Sequence, residues 1–294
     1  MSKAEPPAIR FHEDADLFAE SVRFTAAETA FTPRLIEKDY FCTLLLAYLG
    51  VAAGDDLIFK GGTCLTKVHA ELYRLSEDLD FAISMPVEAS RSDRGRRADG
   101  AKRALAALPT RLPAFRLIAP LKGANNSTQY IATVSYTSLL DRRQETIKIE
   151  VSLREPLLMP SVEASARTLL LDPVTGNPLV QPVSVRCISK AEGLAEKFRA
   201  ALSRREAAIR DFYDIDHAVR KGGLRRDDRN LIKLVKEKLA VPGNDPVDVS
   251  RERLAALRRQ IEPQLRPVLR EQDFMEFDLD RAFKTVVEMA KAVR

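Results

Sequence analysis

The chain has 294 residues, 45% hydrophobic and 30% charged, with a formal net charge of +5 and a pI near 9.1. That balance fits a folded globular protein of one large domain or two, no stretch approaches the ~20 apolar residues of a membrane span, and the modest positive charge permits a nucleic-acid partner without requiring one. Cys42, Cys64 and Cys187 are too scattered for a zinc site and read as thiols of a reducing cytoplasm, the three histidines argue against a His-based metal centre or a Ser-His-Asp enzyme, and Met1–Pro7 lacks the apolar stretch of a signal peptide.

The helical period predicts helices over residues ~14–31 and ~34–50. The second presents Ile36, Tyr40, Leu44 and Tyr48 on one face, widened by Phe41 and Leu45. Leu57-Ile58-Phe59 is a short apolar run, expected to be a buried strand, and it ends at Lys60-Gly61-Gly62-Thr63. Backbone bared by glycine lets phosphate oxygens approach closely. Leu65 to Tyr73 then reads as a helix, with Leu65, Val68, Leu72 and Tyr73 at helical spacing.

Ser76 and Glu77 lead into an alternating segment, Asp78-Leu79-Asp80-Phe81-Ala82-Ile83. In a strand, residues i and i+2 share a face. Asp78 and Asp80 therefore project together, while Leu79, Phe81 and Ile83 face a core. Two carboxylates so close repel unless a cation neutralises them. Mg²⁺ suits the pair, because it is hard, takes oxygen ligands and is commonly shared between carboxylates and substrate phosphates. A solvated turn is the commoner reason for an isolated DxD, but aspartates are disfavoured in strands. A local rule broken inside an otherwise consistent strand marks a functional site.

Residues ~86–100 read as an arginine-rich loop entering a helix, with Arg91, Arg94, Arg96, Arg97, Lys102 and Arg103 close together. Strands follow at Tyr130–Tyr136 and Thr146–Leu153. The second alternates strictly, with Lys148, Glu150 and Ser152 on its polar face, so Glu150 is a candidate third carboxylate in the same sheet. Pro156, Pro160, Pro173, Pro178 and Pro182 mark a linker-like stretch. Ser189-Lys190-Ala191-Glu192 is a capping box that starts a helix running to about Arg204. A second helix, ~206–221, carries Arg210, Asp211 and Asp214, and the helical tail is interrupted at Pro242-Gly243-Asn244 and at Pro263. A second basic cluster comprises Lys221, Arg225, Arg226 and Arg229. Each cluster is either a solvated face or an RNA-contacting surface, and no aromatic residues interleave with them to stack bases.

The string FKGGTCLTKVHAELYRLSEDLDFAI, Phe59 to Ile83, resembles the signature of the AbiEii/AbiGii toxin family, MenT-type toxins included. Ile36-Glu37-Lys38-Asp39-Tyr40 resembles the family's N-terminal EKDY element. Leu194-Ala195-Glu196-Lys197-Phe198 and Arg210-Asp211-Phe212-Tyr213-Asp214 resemble its downstream lysine and RDxxD motifs. The resemblance implies an α+β fold: a DNA polymerase β-like nucleotidyltransferase core with a mixed sheet, plus a C-terminal helical lobe. We expect the core over residues 1–185 and the lobe, contributing to the active site, over 186–294.

The same resemblance implies a cytoplasmic, Mg²⁺-dependent nucleotidyltransferase acting as the toxin of a toxin–antitoxin pair. Its substrate would be an NTP, its acceptor RNA (the tRNA 3′ end), and its partner a cognate antitoxin. Asp78 and Asp80 would hold the metal, and Glu150 would orient or deprotonate the attacking hydroxyl. Lys197 would offset charge on the leaving pyrophosphate, with Asp211 and Asp214 contacting either Lys197 or the nucleotide. Lys60, Gly61, Gly62, Thr63 and Arg74 would line the nucleotide, and Ser76 either joins them or is a turn residue leading into the strand. Lys38 and Asp39 are expected to brace the core rather than to react. Transfer onto a protein or small molecule, or nucleotide binding without transfer, stays open, because the fold supports many acceptors.

Overall fold

Apolar periodicity and end signals set the first two helices. In the computed structural model, which describes residues 9–294, α1 spans Ala15–Thr29 and α2 spans Pro33–Ala52. Met1–Pro7, considered above for a signal peptide, lies outside the described residues. Asp14 caps α1 by accepting the Leu17 N–H at 3.0 Å, and Pro33 opens α2, where a missing N–H costs nothing. α2 is buried almost all round, beyond the single face that its spacing suggested. Phe41 stacks on Tyr136 with ring centroids 3.9 Å apart, and Tyr40 meets Phe18 edge-on at 4.9 Å.

The sheet has seven strands: β1 (Ile58–Lys60), β2 (Leu79–Ala82), β3 (Phe115–Ala124), β4 (Gln129–Thr137), β5 (Gln144–Ser152), β6 (Val162–Ala166) and β7 (Val183–Cys187). Their order is β3-β4-β5-β2-β1-β7-β6. β2 lies parallel to β5 and antiparallel to β1, while β7 runs parallel to β1, so the sheet is mixed. Its core face carries Leu79, Phe81, Ile147, Ile149 and Val151, each at most 2% exposed.

Two expectations change here. The helix read over Leu65–Tyr73 is instead a short α3 (Gly61–Cys64) running into a π turn, Leu65–His69. The chain is extended at Ala70 and left-handed at Leu72 (φ 48°), so the apolar spacing of Leu72 and Tyr73 reflects burial rather than helix. The proline-rich stretch is not a linker, because it contains β6 and β7. The prolines stand outside these strands, where no ladder N–H is lost. β3 escaped the sequence reading because Pro120 and Gly123 interrupt its pattern. As an edge strand it tolerates both, with register shifts at Leu117/Ala119 and Ala119/Lys122. Between β2 and β3 lie α4 (Arg91–Arg97) and α5 (Asp99–Arg111).

The chain divides into two compact units. One holds the residues up to Leu157 with Ser161–Ile188. The other holds Leu158–Pro160 with Ser189–Arg294. The second is helical: α6 (Lys190–Ser203), α7 (Ile209–Arg220), α8 (Arg229–Ala240), α9 (Arg251–Arg258), α10 (Glu271–Glu276) and α11 (Leu279–Ala292). Ser189 caps α6 by accepting the Glu192 N–H at 3.2 Å. The Glu192 carboxylate accepts from the Leu158 and Met159 amides and pairs with the buried Lys238 at 2.7 Å. Phe212 of α7 stacks on Phe283 of α11.

Candidate active site

Strand register assembles a polar row across the centre of the sheet. Lys60 pairs with Asp80 across the antiparallel β1–β2 ladder, and Asp80 pairs with Glu150 across the parallel β2–β5 ladder. Directly paired residues point to one face, so Lys60, Asp80 and Glu150 form a line. Asp78 stands just ahead of β2, close enough for its charge to act on Lys148 beside Glu150, and all three carboxylates are half-buried. The opposite face holds Phe59 and Phe81, which line an apolar cavity of about 750 Å³ that none of these acids reaches.

The glycine turn is fitted to the second aspartate. Gly61 has φ +76°, a conformation unfavourable for a side chain. A Cβ there would lie 2.8 Å from the Asp80 Cβ and closer still to Oδ2. The two halves of the signature string are therefore in contact, with Gly61 packed on Asp80. Thr63 is buried, and its hydroxyl donates to the Asp78 carbonyl at 2.5 Å, which anchors the carboxylate strand to α3.

Lys148 completes the row. Its Nζ lies 2.9 Å from Glu150 Oε2. Burial works against the Glu150 charge, but the Lys148 hydrogen bond and charge outweigh it and hold the carboxyl below its usual range, helped by Gln129 and Lys60. Burial likewise opposes the Lys148 charge, and Glu150, Asp80 and Asp78 together raise its ammonium above the usual range. Glu150 is thus ionised at neutral pH. An ionised acid beside the aspartates can accept a hydrogen bond from a hydroxyl and orient it.

Other residues of the motif are held inside the fold. Arg74 is 2% exposed, so its guanidinium is not presented to solvent as a phosphate contact would require, and Ser76 is half-buried in an irregular segment. Asp39 and Lys67 form a buried ion pair at 2.6 Å. Asp39 Oδ2 also accepts from Thr168 Oγ1 and the Leu169 N–H, and Lys67 donates to Thr43 Oγ1 at 2.8 Å. Lys38 pairs with Glu77 at 3.2 Å. Lys38 and Asp39 thus brace the core as expected.

In the helical unit, Lys197 of α6 meets both acids of α7, Asp211 Oδ1 at 2.7 Å and Asp214 Oδ2 at 2.9 Å. Arg204 also reaches Asp211, at 3.2 Å. Asp214 therefore faces Lys197 rather than serving only as an i, i+4 partner for Arg210. The three motif residues form one cluster, 12% exposed or less.

A family model described as "Nucleotidyl transferase AbiEii toxin, Type IV TA system" matches residues 44–289. The chain belongs to this AbiEii family. It is accordingly a nucleotidyltransferase, the toxin member of a toxin–antitoxin system, and an antitoxin partner and a nucleotide substrate come with that membership. Two solved structures share the fold. MenT4, a nucleotidyltransferase toxin from Mycobacterium tuberculosis H37Rv, is 19% identical with a TM-score of 0.54, over 92% of this chain and 96% of that one. JHP933 from Helicobacter pylori is 16% identical with a TM-score of 0.51, over 90% and 93%. A comparison with curated proteins finds no match. Among the described residues no helix is long and apolar enough to cross a membrane.

Within this AbiEii chain, folding unites Lys60, Gly61, Asp78, Asp80 and Glu150 on one sheet, and Lys197, Asp211 and Asp214 between α6 and α7. The sequence reading missed Lys148 as a site residue, although it stands two places before Glu150 in an alternating strand. The cysteines, too scattered in sequence for a zinc site, are partly gathered by folding: the ligand atoms of Cys64, His69 and Cys187 lie within 4.8 Å of one another. None of the three cysteines is in a disulfide. The basic clusters are largely ion-paired. Arg94 is buried and donates to the Leu153 and Val87 carbonyls, Arg97 pairs with Asp56, and Arg226 pairs with Glu288.

Proposed function

We propose that this toxin transfers a nucleoside monophosphate from an NTP to an RNA hydroxyl, at the 3′ acceptor end of tRNA, in a Mg²⁺-dependent reaction in the cytoplasm. The observation that carries the reading is the in-register row Lys60–Asp80–Glu150 with Asp78 beside it and Gly61 packed on Asp80. Three half-buried carboxylates on one face form a hard oxygen donor set that fits Mg²⁺, with Asp78 and Asp80 as the residues that would hold it. When bound, the ion supplies charge neutralisation for the triphosphate.

The chain's own residues do the rest. Glu150, kept ionised by Lys148, accepts a hydrogen bond from the acceptor hydroxyl and orients its oxygen toward the α-phosphorus. The hydroxyl oxygen bonds to the α-phosphorus as its proton passes to Glu150 and on to solvent, the bond from the α-phosphorus to the bridging oxygen breaks, and pyrophosphate leaves with that oxygen. Gly61, lacking a side chain, lets Asp80 pack directly against the turn and so holds the acid at the start of α3. Lys60 and Lys148 stand in the row as cations for the accumulating charge. Lys67 does not serve this purpose, because its ammonium is taken by Asp39 inside the core. The role of Lys197, Asp211 and Asp214 in transfer remains a proposal, carried by their match to the family motifs.

The test is incubation of the protein with each α-labelled NTP, total RNA and Mg²⁺. Label is expected on small RNA and is expected to vanish with chelator. Label on protein alone would redirect the acceptor, and nucleotide binding with no label transferred would leave a binding toxin.

A further inference from the structure

We infer that Cys64, His69 and Cys187 form a zinc site that staples the helix after the glycine turn to strand β7. All three belong to the sheet unit. Cys64 ends α3, His69 ends the π turn, and Cys187 ends β7, which lies parallel to β1 with Cys187 paired to Phe59. Cys64 and Cys187 are fully buried, and the Cys187 sulfur lies 4.0 Å from His69 Nε2.

The backbone supplies a second, independent observation. Residues five apart on an α-helix point ~140° away from each other. A π turn is closed by i→i+5 bonds, which stack such residues. The turn Leu65–His69 therefore swings His69 back onto the side of Cys64. π turns within helices frequently occur at functional sites, and here the departure from α geometry gathers three metal-ligating side chains.

The donor set selects the ion. Two sulfurs and one imidazole are soft to borderline ligands that suit Zn²⁺ and not Mg²⁺. The carboxylate row is hard and suits Mg²⁺, so the two sites do not compete. Two thiolates also cancel the charge of Zn²⁺ beside a neutral imidazole. The bound cluster is neutral overall, which suits a position where both cysteines are buried and His69 is half-buried. Binding releases the thiol protons to solvent. His69 Nε2, which donates to the Ile188 carbonyl at 2.8 Å, would turn its lone pair to the metal as the other tautomer. A water on the half-buried His69 side would supply the fourth ligand. The consequence is structural: α3 carries the Gly61–Thr63 turn, and the staple fixes it against the sheet on which Asp80 and Glu150 stand.

The test uses the full chain, purified in reductant without chelator. Elemental analysis should find about one zinc per chain. After chelation, titration with Co²⁺ should give thiolate-to-metal charge-transfer absorption, with circular dichroism reporting that the chain stays folded. Cys187→Ser and His69→Asn should each weaken zinc binding ~100-fold or more, while Asp80→Ala should leave zinc content unchanged. Absence of stoichiometric zinc together with a featureless Co²⁺ titration of the folded wild-type chain would overturn the site, as would a Cys64–Cys187 disulfide found by mass spectrometry. These wild-type readouts hold even if a variant fails to fold, and none depends on transfer activity.

Discussion

Two acid–lysine groupings in the sheet unit have opposite fates. The first, Asp39 with Lys67, is sealed: the side chains are 2% and 1% exposed, and both ends are bonded to Thr168, Leu169 and Thr43. The second, Asp78, Asp80 and Glu150 with Lys60 and Lys148, stays half open, with Glu150 25% and Lys148 44% exposed. Removing a charge from water costs several kcal/mol unless partners satisfy it completely. The sealed pair meets that condition and is thereby withdrawn from chemistry. The open row gathers like charges on one face where water, an ion and a substrate have access. Both groupings combine acids with lysines, and burial separates brace from reactive site.

That contrast is sharpest at Asp80. Asp80→Ala is expected to cut nucleotide transfer by ~10³-fold or more, several kcal/mol of transition-state stabilisation. Its melting temperature in metal-free buffer should hold or rise, because repulsion is relieved. Full transfer activity in Asp80→Ala would end the assignment of this row as the reactive one. Lys67→Ala should behave in the reverse sense. Leaving Asp39 buried and unpaired is expected to cost ~3–5 kcal/mol in urea unfolding, and whatever folds should retain transfer per folded molecule.

The helical unit offers an intermediate case. Lys197→Ala should lower transfer by ~10²-fold if the lysine acts on the nucleotide. Because Asp211 and Asp214 both lean on it, the stability loss should be substantial as well, ~2–4 kcal/mol, larger than a surface lysine would give. Lys197→Arg should recover stability better than activity, since a forked guanidinium does not replace a point charge. Parallel recovery of both would class the trio with the sealed pair.

Gly61→Ala tests the junction between turn and acid. A left-handed non-glycine residue costs ~1–2 kcal/mol, and the new methyl must also displace Asp80. Transfer should fall more than stability does, as read by activity against melting temperature. Smallest of all, Arg96→Ala with Arg97→Ala should flatten the salt dependence of RNA binding, by roughly one unit of slope for each phosphate that is no longer neutralised, with nucleotide binding unchanged. Arg94→Ala is a control: its guanidinium holds two carbonyls inside the fold, so its loss should register as stability. Salt-insensitive RNA binding would remove α4 as a contact surface.

Sequence alone determined the local elements and the chemistry they carry. Period two placed Asp78 and Asp80 on one face and put Lys148 and Glu150 together, because strand geometry is fixed within a few residues. Glycines marked the tight turn, and the capping serine marked the start of α6. What tertiary structure decided was every relation across long separations. Register set Glu150 beside Asp80, and close packing showed that Gly61 must lack a side chain because Asp80 fills the space. Burial turned Arg74 and Arg94 from candidate phosphate contacts into internal groups, and folding brought Cys187 to Cys64 and His69. Side-chain type and spacing record what a residue is able to bind. Only the folded chain decides whether water, substrate or another part of the protein takes that place, because solvation and pairing are settled by neighbours distant in sequence.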